Sequence, residues 1–240
     1  RLRVDGVLRG SPAQPHGEFE LAGEKLRFGS LLLDALNGRG QLAEGRQGAM
    51  KLKLDLEGLR SGGDEALVRR ASLLIDGNRA ANTTRLELAA RGKTTLAMNL
   101  AGALSDGLRW EGQLAGLDVG GDYSVRLLAP AQLLLSPDLV RLGRAELRGG
   151  GGGLYRFEET RWQPRRIVAR GNVSGVQVGV ILDPSTRAVK SRGDSLQVGG
   201  EWDVDIAEQV NGVVRFFREK GDLVRSEEHK SELQSRQVIS

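Results

Sequence analysis

The sequence predicts an all-β chain arranged as a long antiparallel meander. Three observations carry that prediction: apolar and charged residues alternate over most of the length, turn formers sit between the alternating stretches, and helical periodicity is scarce. In Met50 to Leu56 (MKLKLDL), Met50, Leu52, Leu54 and Leu56 alternate with Lys51, Lys53 and Asp55. A period of two is usable only by a strand with one dry and one wet face.

The same phase returns along the chain in Leu86, Leu88 and Ala90, in Leu96, Met98 and Leu100, in Leu108, Trp110 and Leu114, and in Tyr123, Val125 and Leu127. It continues in Val140 and Leu142, Leu196 and Val198, and Trp202, Val204 and Ile206. Gly62-Gly63-Asp64, Asp76-Gly77-Asn78, Arg91-Gly92-Lys93, Ser105-Asp106-Gly107, Gly120-Gly121-Asp122 and Lys220-Gly221-Asp222 separate these stretches and have the chemistry of hairpin turns. Strands therefore recur roughly every 10 to 15 residues, with no repeat in the letters themselves. A few short helices are expected: a turn or two over Leu31 to Leu36, and Val176 to Leu182 as either strand or short helix. Gly149 to Gly153 reads as a loop or hinge, because five glycines in a row cost too much backbone entropy inside a strand.

Composition narrows the function classes. Aromatic residues are only 4% of the chain, so the apolar face is mostly Leu, Val and Ala. That content argues against an outer-membrane barrel, which carries aromatic girdles at both interfaces. Charged residues reach 28%, which suits a folded chain. The net charge of +4 is spread as Arg-x-Arg and Lys-x-Lys alternation, the pattern of a solvated strand face, so no nucleic-acid partner is expected. With no cysteine there is no disulfide framework and no thiolate metal site.

Candidate chemistry is sparse. Gly92-Lys93-Thr94-Thr95 resembles the end of a phosphate-binding loop, but Glu87 stands where the motif needs its first glycine, and the flanks alternate as strands. His16 is the one histidine before the C-terminal stretch, and it lacks the partners of a triad or zinc site. Asp203 and Asp205 fall on the wet phase, as solvated carboxylates do. Trp110, Trp162 and Trp202 are read as caps at the edges of an apolar layer. The expectation is a protein that is not an enzyme and holds no cofactor or metal.

The opening residues RLRVDGVLRG already alternate, so the chain is expected to continue upstream, with any membrane anchor outside this piece. No run of about 18 apolar residues occurs. RSEEHKSELQS, from Arg225 to Ser235, resembles the translation of a sequencing adapter joined to a truncated gene, with Lys230 as its one mismatch. Residues 1–224 are accordingly taken as one continuous unit and 225–240 as a frayed, artefactual tail.

Several segments in order resemble the TamB family, AsmA-like proteins also described as repeating β-groove proteins. ASLLIDGN followed by TTRLELAARG is similar to the family's paired strands, and RWEGQLAGLDVGG to its Trp-x-Gly-x-Leu strand. SVRLLAPAQLLLSPDLVRLGRAEL, LQVGGEWDVDI and NGVVRFFREKGDLV extend the likeness, which runs from Val68 to Val224; the first 67 residues follow it in pattern only. The resemblance implies an elongated, twisted, open groove of taco-like section in a periplasm-spanning protein anchored to the inner membrane. It places this piece toward the C-terminal side. The implied function is carrying phospholipid between the two membranes, with a linked or alternative role in outer-membrane protein assembly beside a TamA-like partner in the outer membrane. Phospholipid acyl chains would then meet Leu52, Leu54, Leu56, Leu86, Leu88, Leu96, Met98, Leu100, Leu114, Val125 and Leu127. Alternation alone also admits a closed β-sandwich or solenoid acting as a structural or binding module without lipid cargo.

Overall fold

A computed structural model describes residues 1–11, 14–62, 65–177 and 196–221. It contains β1 (Leu2–Ser11), β2 (Gln14–Phe28), β3 (Leu31–Leu42), β4 (Met50–Ser61), β5 (Val68–Gly77), β6 (Asn82–Ala90), β7 (Thr95–Ser105) and β8 (Arg109–Gly120). There follow β9 (Val125–Leu127), β10 (Ala131–Ser136), β11 (Leu139–Leu142), β12 (Ala145–Gly149), β13 (Leu154–Gln163), β14 (Arg166–Gln177), β15 (Gln197–Ile206) and β16 (Val210–Lys220). All sixteen belong to one sheet.

The topology is a meander, because each strand hydrogen-bonds antiparallel to its neighbour in sequence. Two places look like exceptions. β8 pairs with β9 through Val119 and Val125 and also with β10 through Leu114 and Ala131. β13 likewise pairs with both β12 and β11. The cause is interruption: β9 and β10 are one strand broken over residues 128–130, where Pro130 has no N–H to give the ladder. β11 and β12 are one strand broken at Gly143 and Arg144. Backbone bonds from Leu128 N to Glu146 O (2.8 Å) and from Gly143 N to Gln132 O (2.9 Å) keep the two broken strands together across the gaps.

Among the described residues β1 pairs only with β2 and β16 only with β15, so the sheet closes into no barrel. A second sheet to make a sandwich is likewise absent from the described residues, and the elongated meander expected from the sequence stands.

Asp76-Gly77-Asn78, Arg91-Gly92-Lys93, Ser105-Asp106-Gly107 and Gly120-Gly121-Asp122 fall at junctions between strands, while Gly63, Asp64 and Asp222 of the other two expected turns lie outside the described residues. Gly92, with φ of 65°, turns the chain between β6 and β7, so the phosphate-loop look-alike is a hairpin end. Gly149 to Gly153 makes a tight turn from β12 into β13, closed by Gly149 N to Gly153 O at 2.8 Å, and not a hinge between bodies.

The helical expectations need correction. Leu31 to Leu36 opens β3, because β2 and β4 supply ladder partners on both sides: Leu26 faces Leu33, and Leu33 faces Leu59. Leu26 and Leu33 are buried as a pair there, and a local apolar run has followed its tertiary partners. The one helical element among the described residues is a 3-10 turn at Asp106–Leu108. Val176 and Gln177 end β14 as strand; residues 178–182, like the C-terminal stretch 225–240, lie outside the described residues.

Candidate functional site

Register converts the sequence alternation into rows. One row runs Gly6, Phe19, Gly40, Leu52, Ile75, Thr84, Leu100, Leu114, Ala131, each the cross-strand partner of the next. A second runs Val4, Leu21, Gly38, Leu54, Leu73, Leu86, Met98, Leu117. A third runs Leu2, Gly23, Leu36, Leu56, Ala71, Leu88, Leu96, Val119, Val125. Thr84 is the single polar member. From β1 to β8 the rows cross seven strand spacings, roughly 34 Å at ~4.8 Å per spacing.

Ten of the eleven residues predicted to line the groove lie in these rows. Leu127 lies two residues beyond Val125, which gives it the same strand face, and pairs with Leu147. Sequence reasoning did not single out Phe19, Leu21, Ile75, Leu73, Leu117 or Val119, although their alternation was there to be read.

No second layer covers this face among the described residues, so its shielding comes from the curl of its own sheet. Leu52, Leu54, Leu56, Leu86, Leu88, Leu96, Met98 and Val125 are half-buried. Leu100, Leu114 and Leu127 are buried, in a cluster with Trp110, Ala131, Ala145 and Leu147. The cluster coincides with the broken strands and with a bulge in the β7–β8 ladder between Asn99 and Leu100, and bulges sharpen the local bend.

Glycines let large rings lie on this face. Trp110 spreads over Gly102 and Gly112: a Cβ built on Gly102 would stand 2.5 Å from the ring's Cζ2, and one on Gly112 2.7 Å from its Cη2. Its Nε1 donates to Asn82 Oδ1 at 2.8 Å, and Asn82 in turn donates from Nδ2 to Asn78 O at 3.1 Å. Trp202 repeats the device over Gly171 and meets Phe157 edge-on at 5.4 Å. Trp110 is therefore central and buried and not an edge cap, while Trp162 is 46% exposed.

At the rim, the β5–β6 turn holds a buried Arg79, whose Nη2 donates to Pro15 O and so ties the end of β2 to that turn. Arg79 Nε has no partner.

The opposite face is charged and laced with exposed ion pairs, among them Lys53–Asp55 at 3.2 Å, Arg70–Glu57 at 3.0 Å and Arg215–Glu201 at 2.8 Å. Exposed pairs of this kind contribute about 0–1 kcal/mol each. Asp203 and Asp205 lie here, bound by Arg170 at 3.0 Å and by Arg166 Nε at 2.9 Å. The hydrogen bond from Arg166 holds the Asp205 carboxyl below the usual carboxylate range. The hydrogen bonds to Asp205 and Asp203 raise Arg166 and Arg170 above theirs.

A hollow of about 680 Å³ is lined by charged residues of this face, among them Asp5, Glu18, Arg39 and Lys53, and also by Gly6, Phe19, Gly40, Leu52 and Ile75 of the first row. A twisted sheet is saddle-shaped, so each face is hollow along one diagonal. With acids and bases mixed, this hollow selects neither sign of charge. His16 lines a smaller hollow with Arg9 and Glu18. Among the described residues no group of His, Asp and Glu is placed to hold a metal ion, and no helix is long and apolar enough to cross a membrane.

No curated protein and no solved structure matches the chain. The family model described as TamB, N-terminal domain, matches residues 1–133, more than half of the 240. The match takes in the first 67 residues, where the likeness had been one of pattern only, and it names the N-terminal domain, so it lends no support to a place toward the C-terminal side. The ordered motifs, the single-sheet meander and this match agree, and the chain belongs to the TamB family.

Proposed function

We propose that this chain is a groove segment of a periplasm-spanning, TamB-like protein that conducts phospholipids between the inner and outer membranes and supports outer-membrane protein assembly. The observation that carries the reading is the set of three apolar rows, side by side on one face of a single-layer sheet. Their length of roughly 34 Å exceeds the ~15 Å depth of one leaflet's hydrocarbon, so a whole acyl chain fits along them. Each methylene taken from water there gains about 0.8 kcal/mol, while the polar head group stays in solvent beyond the sheet. Holding a chain in this way asks nothing of a catalytic group. In this reading the protein is anchored to the inner membrane by a segment outside this chain and meets a TamA-like partner in the outer membrane. The charged face, where many arginines are paired with Asp and Glu, fits a water-exposed exterior better than a nucleic-acid surface.

Met98→Arg in the full-length protein tests the reading. Met98 is half-buried in the middle row between Leu86 and Leu117, so an arginine there can lift its guanidinium into solvent while its stem covers the same surface. Folding persists and lipid passage between the membranes stalls. Undiminished lipid transfer by a folded Met98→Arg protein would overturn the proposal.

A further inference from the structure

The apolar face does not keep one depth along the molecule. Over β4 to β7 it is half-buried at Leu52, Leu54, Leu88 and Met98. In the section from β7 to β13 Leu100, Trp110 and Leu114 are each 7% exposed, and on β15 Trp202 and Val204 are again half-buried. The trough is thus open on both sides of a section that is packed against itself.

We propose that this packed section is a gate that hydrocarbon must part to move along the trough, and that Trp110 is its moving side chain. The inference rests on the lipid-conducting reading and deepens it by dividing the path in two.

Three features suit Trp110 to the task. Its ring lies on Gly102 and Gly112, which present only backbone, so the ring can tilt without displacing a side chain beneath it. It is tethered by one hydrogen bond, Nε1 to Asn82 Oδ1 at 2.8 Å. Asn82 is itself fixed by its bond to Asn78 O, so the anchor stays in place when the ring leaves. An alkyl chain sliding under the ring replaces its apolar contacts with Leu104 and Leu135, the cross-strand neighbours of Trp110, by contacts of the same kind. What opening gives up is chiefly the tether, since a buried indole N–H needs a partner. The strand breaks at 128–130 and 143–144 are bridged by Leu128 N to Glu146 O at 2.8 Å and Gly143 N to Gln132 O at 2.9 Å, so the wall beside the ring's cluster stays joined.

The test uses the full-length protein in cells, with a benzophenone-bearing phenylalanine analogue replacing either Leu54, on one side of the gate, or Val204, on the other. After a pulse of radiolabelled phosphate into phospholipid, light-induced labelling is followed in time at both positions. The expected result is that one position labels before the other, and that Asn82→Ala or Trp110→Phe shortens the lag several-fold with labelling at the first position unchanged. Trp110→Phe keeps most of the ring's bulk, and hydrogen exchange over β6 to β8 verifies the fold of both variants. Simultaneous labelling in the unmodified protein, or a lag that neither variant shortens, overturns the gate while leaving lipid conduction standing. Absence of lipid at both positions removes the lipid-conducting reading and the gate together.

Discussion

Truncating two leucines of the apolar face separates the gate section from the open trough by a measurement of stability alone. Leu114 is 7% exposed, packed with Leu100 and Ala131 as its cross-strand neighbours. Leu114→Ala removes buried carbon and leaves a cavity that a bent, broken stretch of sheet cannot collapse, so it costs about 3 kcal/mol, within the range seen for buried Leu→Ala changes. Leu54 sits in the middle row between Gly38 and Leu73 and is half-buried with no covering layer. Leu54→Ala loses the transfer energy of a half-shielded isopropyl group, about 1 kcal/mol, and leaves no cavity because solvent reaches the gap. Native-state hydrogen exchange read on β4 and on β8 measures both costs locally, which suits a sheet whose parts open separately. Costs equal within about 0.5 kcal/mol would refute the division of the face into a packed section and an open one.

Two further outcomes follow from the same geometry. Arg79→Met removes the donor to Pro15 O, so the end of β2 is released and exchange protection falls first in β1 and β2, with β13 to β15 unchanged; uniform loss of protection would contradict this. Because Asp205 has its folded-state pKa lowered, first by the hydrogen bond from Arg166, its stabilising effect is present above the unfolded carboxylate pKa and is lost as pH falls through the folded one. Thermal melting of Asp205→Asn against the parent chain therefore shows a small deficit at neutral pH that vanishes in strong acid, and a deficit that persists there would point to another cause.

Much of the sheet was legible because period-two alternation needs no long-range information. In MKLKLDL the phase alone puts Leu52, Leu54 and Leu56 on one face, and the structure puts them there. What alternation cannot carry is how far the face curls. Leu100 and Leu96 look alike in sequence, yet Leu100 is buried and Leu96 half-buried, because the bend comes from Pro130, Gly143 and the bulge beside Asn99. Trp110 reads as an edge cap in the sequence because a lone ring in a strand has no mark of depth. Its signal was the glycine two residues on, Gly112, in the same phase, facing Gly102 on the next strand. Leu31 to Leu36 misled for the opposite reason: a cluster of leucines lacks a clear period until its partners on β2 and β4 are known.

With β9 and β10 counted as one broken strand and β11 and β12 as another, the ladder of the sheet runs between neighbours in the chain, so its pairing does not have to wait for a distant segment. Such a protein can assemble in the order in which it is synthesised, each hairpin docking on the last. Its length is equally free to vary, because inserting or deleting one hairpin changes the reach by about 10 Å and leaves the remaining pairing as it was.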